Sequence, residues 1–154
     1  MANKNLSAII LAAGKGTRMG SSTHKVLHPV GGRPMILHLV DTLKSIGVSK
    51  TVVVVGNEKE QVQSAVEGAQ FAIQEPQLGT GHAVLAAQED LGNFDGNVLI
   101  LYGDVPLVSS TTMKKMINSL DNNPLAVLGF RAEVPGAYGR LVLNSEGSLE
   151  EIIE

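Results

Sequence analysis

No cysteine occurs among the 154 residues, so a disulfide framework, a thiol nucleophile and a thiolate-bound metal are all excluded. Tryptophan is missing as well, and two Tyr and three Phe are too few rings for a surface that stacks bases. Charge is sparse. Charged residues make up 18% of the chain, and a net charge of −3 argues against a general binder of nucleic acid or of a membrane surface. Long apolar runs are lacking too: the N-terminus, Met1 to Leu6, carries no extended apolar segment before a cleavage signal, and no later stretch reaches membrane-spanning length. The expectation is a cytoplasmic protein with no nucleic-acid or membrane partner.

What the chain does have is a hydrophobic content of 44%, enough to bury a core in one compact domain. Strand-like and helix-like segments take turns along it. Strands are predicted over 8–12, 51–55, 71–74, 97–102 and 125–130, and helices over 35–46, 58–66, 82–91 and 111–120, the last introduced by Ser109 and Ser110 as possible caps. Apolar strands separated by helical segments predict an α/β fold, a Rossmann-like, mostly parallel sheet flanked by helices, with ligands outside the carboxyl ends of the strands. After Gly136 the pattern changes to a hairpin, 138–143 and 149–153, turning at Asn144-Ser145-Glu146-Gly147. A hairpin at a chain end is ordinarily paired or covered, so either its partner strand lies outside this sequence or the end is frayed.

Three clusters fall at the expected strand ends. In the first, Leu11-Ala12-Ala13-Gly14-Lys15-Gly16-Thr17-Arg18-Met19 follows the apolar run and leads on to Lys25. Glycines and cations after a buried strand bring backbone N–H groups and positive charge against a polyphosphate. Counted from Gly14, the third glycine of a dinucleotide fingerprint is replaced by Met19, and Gly14-Lys15 is followed by Gly16 where a P-loop needs Ser or Thr. Both motifs fail, leaving Lys15, Arg18 and Lys25 as candidate phosphate partners, with a surface turn of solvated cations as the plain alternative.

The second cluster, Gln74-Glu75-Pro76-Gln77-Leu78-Gly79-Thr80-Gly81-His82-Ala83, enters a helix with Thr80 as the expected cap. The Gln74 amide carries both a donor and an acceptor and suits an imide edge such as that of uracil; an ordinary polar loop is the alternative. His82 reads as a helix-start residue bonding locally rather than as a catalytic base, and with His24, His28 and His38 it forms no metal-ligand spacing. In the third cluster, Tyr102-Gly103-Asp104-Val105-Pro106-Leu107, an aspartate follows a fully apolar strand. It is placed either to hold a hard cation bridging phosphate oxygens or simply to cap its turn.

Together with Lys25-Val26-Leu27 and Tyr138-Gly139-Arg140, these motifs resemble, in order and spacing, the N-terminal uridyltransferase domain of the bifunctional bacterial N-acetylglucosamine-1-phosphate uridyltransferase/glucosamine-1-phosphate acetyltransferases. The resemblance spans essentially all of the chain. It implies a partial nucleotidyltransferase domain over 1–154, lacking the C-terminal part of that domain and the acetyltransferase β-helix. It further implies UTP and N-acetylglucosamine 1-phosphate as substrates, UDP-N-acetylglucosamine and pyrophosphate as products, and Mg2+ as cofactor. By similarity Leu11, Ala12, Ala13 and Gly14 lie against the nucleotide, Arg18 and Lys25 hold its phosphates in the catalytic role, and Gln74, Gly79 and Thr80 read the uracil. Tyr102 and Gly103 line the substrate site, Asp104 holds the metal, and Gly139 and Glu154 contact the sugar. The full-length family is trimeric through its β-helix domain, so a monomer or weak dimer is expected without it. Two alternatives stand beside this reading: a nucleotide-binding module without turnover, and the same chemistry on a different base or sugar.

Overall fold

The computed structural model describes residues 5–14, 16, 19–56 and 59–153. In chain order the elements are β1 (Leu6–Leu11), a 3-10 turn (Lys25–Leu27), β2 (Pro29–Val30), β3 (Arg33–Pro34), α1 (Met35–Ser45), β4 (Lys50–Val55), α2 (Glu60–Ala65) and β5 (Gln70–Ile73). They continue with α3 (Thr80–Ala86), α4 (Gln88–Leu91), β6 (Asn97–Tyr102), α5 (Ser110–Ser119), β7 (Arg140–Leu143) and β8 (Leu149–Ile153). None of the described helices is long and apolar enough to cross a membrane.

The main sheet is parallel throughout and runs β5-β4-β1-β6. Its strands are mostly apolar and the two central ones are covered on both faces: Ala8, Ile9 and Ile10 of β1 and Val52, Val53, Val54 and Val55 of β4 are all buried, whereas Ile73 of β5 and Ile100 of β6, on the outer strands, are about half exposed. Alternation sorts them into two cores. Ala8 and Ile10 of β1, with Val53, Val55, Leu99 and Leu101, face Ile36, Leu39, Val40 and Leu43 of α1, Val62 of α2 and Met113 of α5. Ile9, Val52, Val54 and Ala72 point the other way, against Ala83 of α3 and the adjoining Ala87. Each large apolar side chain withdrawn from water in this way contributes about 1.5–3 kcal/mol.

Register decides where the site forms. Leu11 pairs with Val54 on one side and Tyr102 on the other, and Val55 pairs with Ile73, so the carboxyl ends of the four strands are level. The chain builds outward from β1 to β4 to β5, then returns to place β6 on the opposite side of β1. That reversal between β1 and β6 is a topological switch point, where a crevice opens beyond the strand ends.

The structure departs from the sequence expectations in three places. Residues 125–130 form no strand: they pair with nothing, and Leu125, Leu128 and Phe130 are exposed. Apolar, partly β-branched composition makes a strand only where a neighbouring ladder and a face to bury exist. Phe130 instead meets Tyr138 edge to face, with ring centroids 5.1 Å apart. The helix expected over 82–91 starts earlier and breaks at Ala87 into α3 and α4. Gly79, at a φ of 103°, takes the cap position assigned to Thr80, which becomes the first helical residue. By contrast Ser109 does cap α5, accepting from the Thr112 N–H at 3.1 Å. The terminal hairpin forms as expected, with β7 beginning at Arg140, and its turn is tied by Asn144 Oδ1, which accepts from the N–H groups of Glu146 and Ser148.

Candidate functional site

Beyond the strand ends lies a cavity of about 370 Å³, within the size range of small-molecule sites. One wall is the backbone leaving β1. The Ala12 N–H donates to the Val54 carbonyl at 2.8 Å, extending the ladder by one rung before Ala13 and Gly14 turn away into the cleft. Tyr102 and Asp104 enter from the end of β6, Gln74, Gln77, Gly79 and Thr80 from the loop between β5 and α3, and Lys25 and Val26 from the 3-10 turn.

The cavity therefore gathers ten of the residues singled out from sequence: Leu11, Ala12, Ala13, Gly14, Lys25, Gln74, Gly79, Thr80, Tyr102 and Asp104. Gly103 is not part of its lining. This glycine donates its N–H to the Leu11 carbonyl at 2.9 Å, and a Cβ there would lie 2.9 Å from Val26 Cγ1 and 3.0 Å from that same carbonyl oxygen. Its place in the motif is explained by close packing of the β6 end against the β1 end. Gly139 also stays out of the lining, packed at the start of the hairpin, where a Cβ would stand 3.2 Å from the Ile153 carbonyl. Lys15, Arg18 and Glu154 lie outside the described residues.

Opposite charges meet at the mouth. The Lys25 ammonium is ion-paired with the Asp104 carboxylate, both side chains being about one third exposed. Gly16, at a φ of 63°, lets the Lys25 stem through: a Cβ on it would lie 2.7 Å from Lys25 Cβ. Asp104 is fixed by its turn, closed by a 3.1 Å bond from the Val105 N–H to the Tyr102 carbonyl. Among the described residues no group of three or more His, Asp or Glu gathers as a metal cage.

The two glutamines of the β5–α3 loop have separate tasks. Gln74 is buried; its backbone N–H continues the sheet by donating to the Val55 carbonyl at 2.8 Å. Its side-chain Nε2 donates to the Gly79 carbonyl at 2.9 Å and lies 3.3 Å from His82 Nδ1, so His82 does bond locally. Gln77 carries no role in the sequence reading, yet its Nε2 donates across the cleft to the Ala13 carbonyl at 2.7 Å. The one trace it leaves in sequence is a glycine, Gly56, directly after the valine run of β4.

Comparison with known proteins follows the same lines. Residues 8–152 match the model of the MobA-like NTP transferase domain. The chain is 51% identical over 148 residues to the bifunctional protein GlmU of Sphingopyxis alaskensis, covering 94% of this chain and 33% of that protein. It is 48% identical over 157 residues to the bifunctional protein GlmU of Paramagnetospirillum magneticum, covering 100% and 35%. The chain thus spans about a third of the length of these curated relatives. Among solved structures, HddC from Yersinia pseudotuberculosis superposes with a TM-score of 0.75 at 23% identity, over 96% of this chain and 68% of that one. Rv0371c from Mycobacterium tuberculosis, solved as a complex with manganese, superposes with a TM-score of 0.61 at 19% identity, over 74% and 58%. Both likenesses are of fold.

Proposed function

The chain belongs to the MobA-like NTP transferase domain family, and from that premise we propose that its cleft binds UTP and N-acetylglucosamine 1-phosphate for uridylyl transfer, forming UDP-N-acetylglucosamine and pyrophosphate. The observation that carries this reading is the convergence, at one switch point, of the Leu11 to Gly14 backbone, the Gln74 amide, and the Lys25 and Asp104 charges. Identity of about half with bifunctional GlmU proteins supports the choice of substrates.

With its Nε2 committed to the Gly79 carbonyl, Gln74 keeps its carbonyl oxygen as the end available to a base. That acceptor matches the N3–H of uracil and opposes the lone pair at N3 of cytosine, which favours UTP over CTP. The sugar 1-phosphate oxygen, already an anion, attacks the α-phosphorus; the bond to the bridging oxygen breaks and pyrophosphate leaves with the electron pair. No general base is required, so alignment and charge neutralisation carry the reaction. Lys25 supplies positive charge to the triphosphate, and Arg18 is assigned the same task by resemblance. A single carboxylate on a rigid turn fits Mg2+, which takes most of its ligands from water and substrate oxygens, and such an ion would neutralise the phosphoryl oxygens. Tyr102 lines the same mouth, and Gly139 and Glu154 keep the sugar-side assignment that the resemblance implies. This reading carries a cytoplasmic location with it.

A second reading, nucleotide binding without turnover, is favoured by the position of Gly139 away from the cavity lining. The two part in one experiment: titration with UTP beside an assay of pyrophosphate release from UTP and N-acetylglucosamine 1-phosphate. Binding with release supports transfer, binding alone supports the module, and a protein that does not bind UTP overturns both.

A further inference from the structure

The Ala13 carbonyl lies two residues past the end of β1: the last rung to β4 is made by the Ala12 N–H, and Ala13 itself is buried. A buried carbonyl without a partner is costly, and the partner supplied is the Gln77 amide at 2.7 Å, from a residue 64 positions further along. The space for this bond is created by Gly56. A Cβ on Gly56 would stand 2.5 Å from Gln77 Nε2 and 3.1 Å from the Ala13 oxygen, too close for any other residue while the amide stays in place. Gly56 is not among the glycines of positive φ, so clearance and not backbone conformation requires glycine there. The far end of the same loop is held by the Gln74 bond to the Gly79 carbonyl. The loop is thus pinned once to its own backbone and once to the opposite wall of the cleft.

We propose that Gln77 is a positioning residue for the nucleotide: its amide holds the Ala13 carbonyl so that the Ala12 to Gly14 backbone stays in its binding geometry, and Gly56 is the clearance that this bond needs. The inference rests on the reading of the cleft as a UTP site. It assigns Gln77 to support of the cleft backbone, its amide nitrogen donating to the Ala13 carbonyl.

The test uses Gln77→Ala, Gln77→Glu, which keeps the shape but removes the donor, and Gly56→Ala, which evicts the amide while leaving it on the chain. UTP and CTP affinities are measured by calorimetry with Mg2+ present, and the Ala13 carbonyl carbon is followed by NMR. The expected result is about tenfold weaker UTP binding in all three, with the ratio of UTP to CTP affinity held within about twofold and the Ala13 resonance displaced. Unchanged UTP affinity overturns the proposal, and so does a ratio that moves about tenfold, which would make Gln77 a base reader. If Gly56→Ala does not fold, the two Gln77 variants decide. A wild-type chain that does not bind UTP removes the reading of the site and this inference with it, whereas wild-type binding beside unaffected variants removes the inference alone.

Discussion

The Lys25 ammonium and the Asp104 carboxylate neutralise one another across the mouth of the cleft, one from the 3-10 turn after the glycine loop and the other from the end of β6. In the proposed reaction they serve different partners, the lysine a phosphate and the carboxylate a divalent ion. Each is therefore the other's placeholder until substrate separates them. A divalent ion reaching Asp104 in the absence of nucleotide must compete with Lys25. Replacing the lysine by Met is expected to tighten binding of Mn2+ to the nucleotide-free protein roughly twofold to fivefold, the worth of a partly exposed ion pair. Paramagnetic broadening of amide resonances around Asp104 during a Mn2+ titration reads the change; unaltered or weaker binding would show that the pair does not restrain the carboxylate.

Lys25→Ala separates binding from catalysis. A charge that matters most as negative charge redistributes during attack should lower turnover by a larger factor than it lowers uridine-nucleotide affinity. Steady-state kinetics beside a binding titration gives the comparison, and equal losses in both would reduce Lys25 to a general anchor.

Asp104→Ala is expected to abolish Mg2+-dependent product formation, a loss on the order of a thousandfold if several kcal/mol of charge stabilisation disappear. UTP binding measured in chelator should survive, since the carboxylate repels phosphate when no cation is present. Undiminished turnover would remove Asp104 from the metal role.

Stability should distinguish the two kinds of apolar residue in the chain. Leu39, fully buried between α1 and the sheet, is expected to cost about 2–5 kcal/mol on replacement by Ala. Leu128→Ser, in the exposed segment that forms no strand, should stay within about 0.5 kcal/mol. Urea denaturation midpoints report both, and a large cost at Leu128 would mean that 125–130 is paired after all.

The parts of the fold that were legible in sequence are those built on apolar runs inside the parallel sheet. β6 falls on 97–102 as expected, and β1 and β4 lie within two residues of their expected ends, because each carries a run of apolar residues that the fold buries, in full along Val52 to Val55 of β4 and on one face of β6, where Ile100 and Tyr102 stay exposed. Residues 125–130 carry the same composition without the neighbour, and composition alone does not reveal whether a neighbour is there. The cleft was legible where strand ends carry glycines and polar groups, as at Gly14, Gln74 and Asp104. Contacts between distant segments were not. The Lys25 to Asp104 pair and the Gln77 to Ala13 bond join residues far apart in sequence, and the strand order β5-β4-β1-β6 brings them face to face.

The two coats of the sheet grip it unequally. α1 is seated by Ile36, Leu39, Val40 and Leu43, whereas α3 and α4 rest on Ala83 and Ala87, joined by the partly buried Val84, Ala86 and Leu91. The fully buried side chains under α3 are smaller than those under α1, so a small tilt or slide withdraws less apolar area from contact on the α3 side. In the proposed complex the base is received by the wall hung from the start of α3, and the triphosphate by the wall carried by β1.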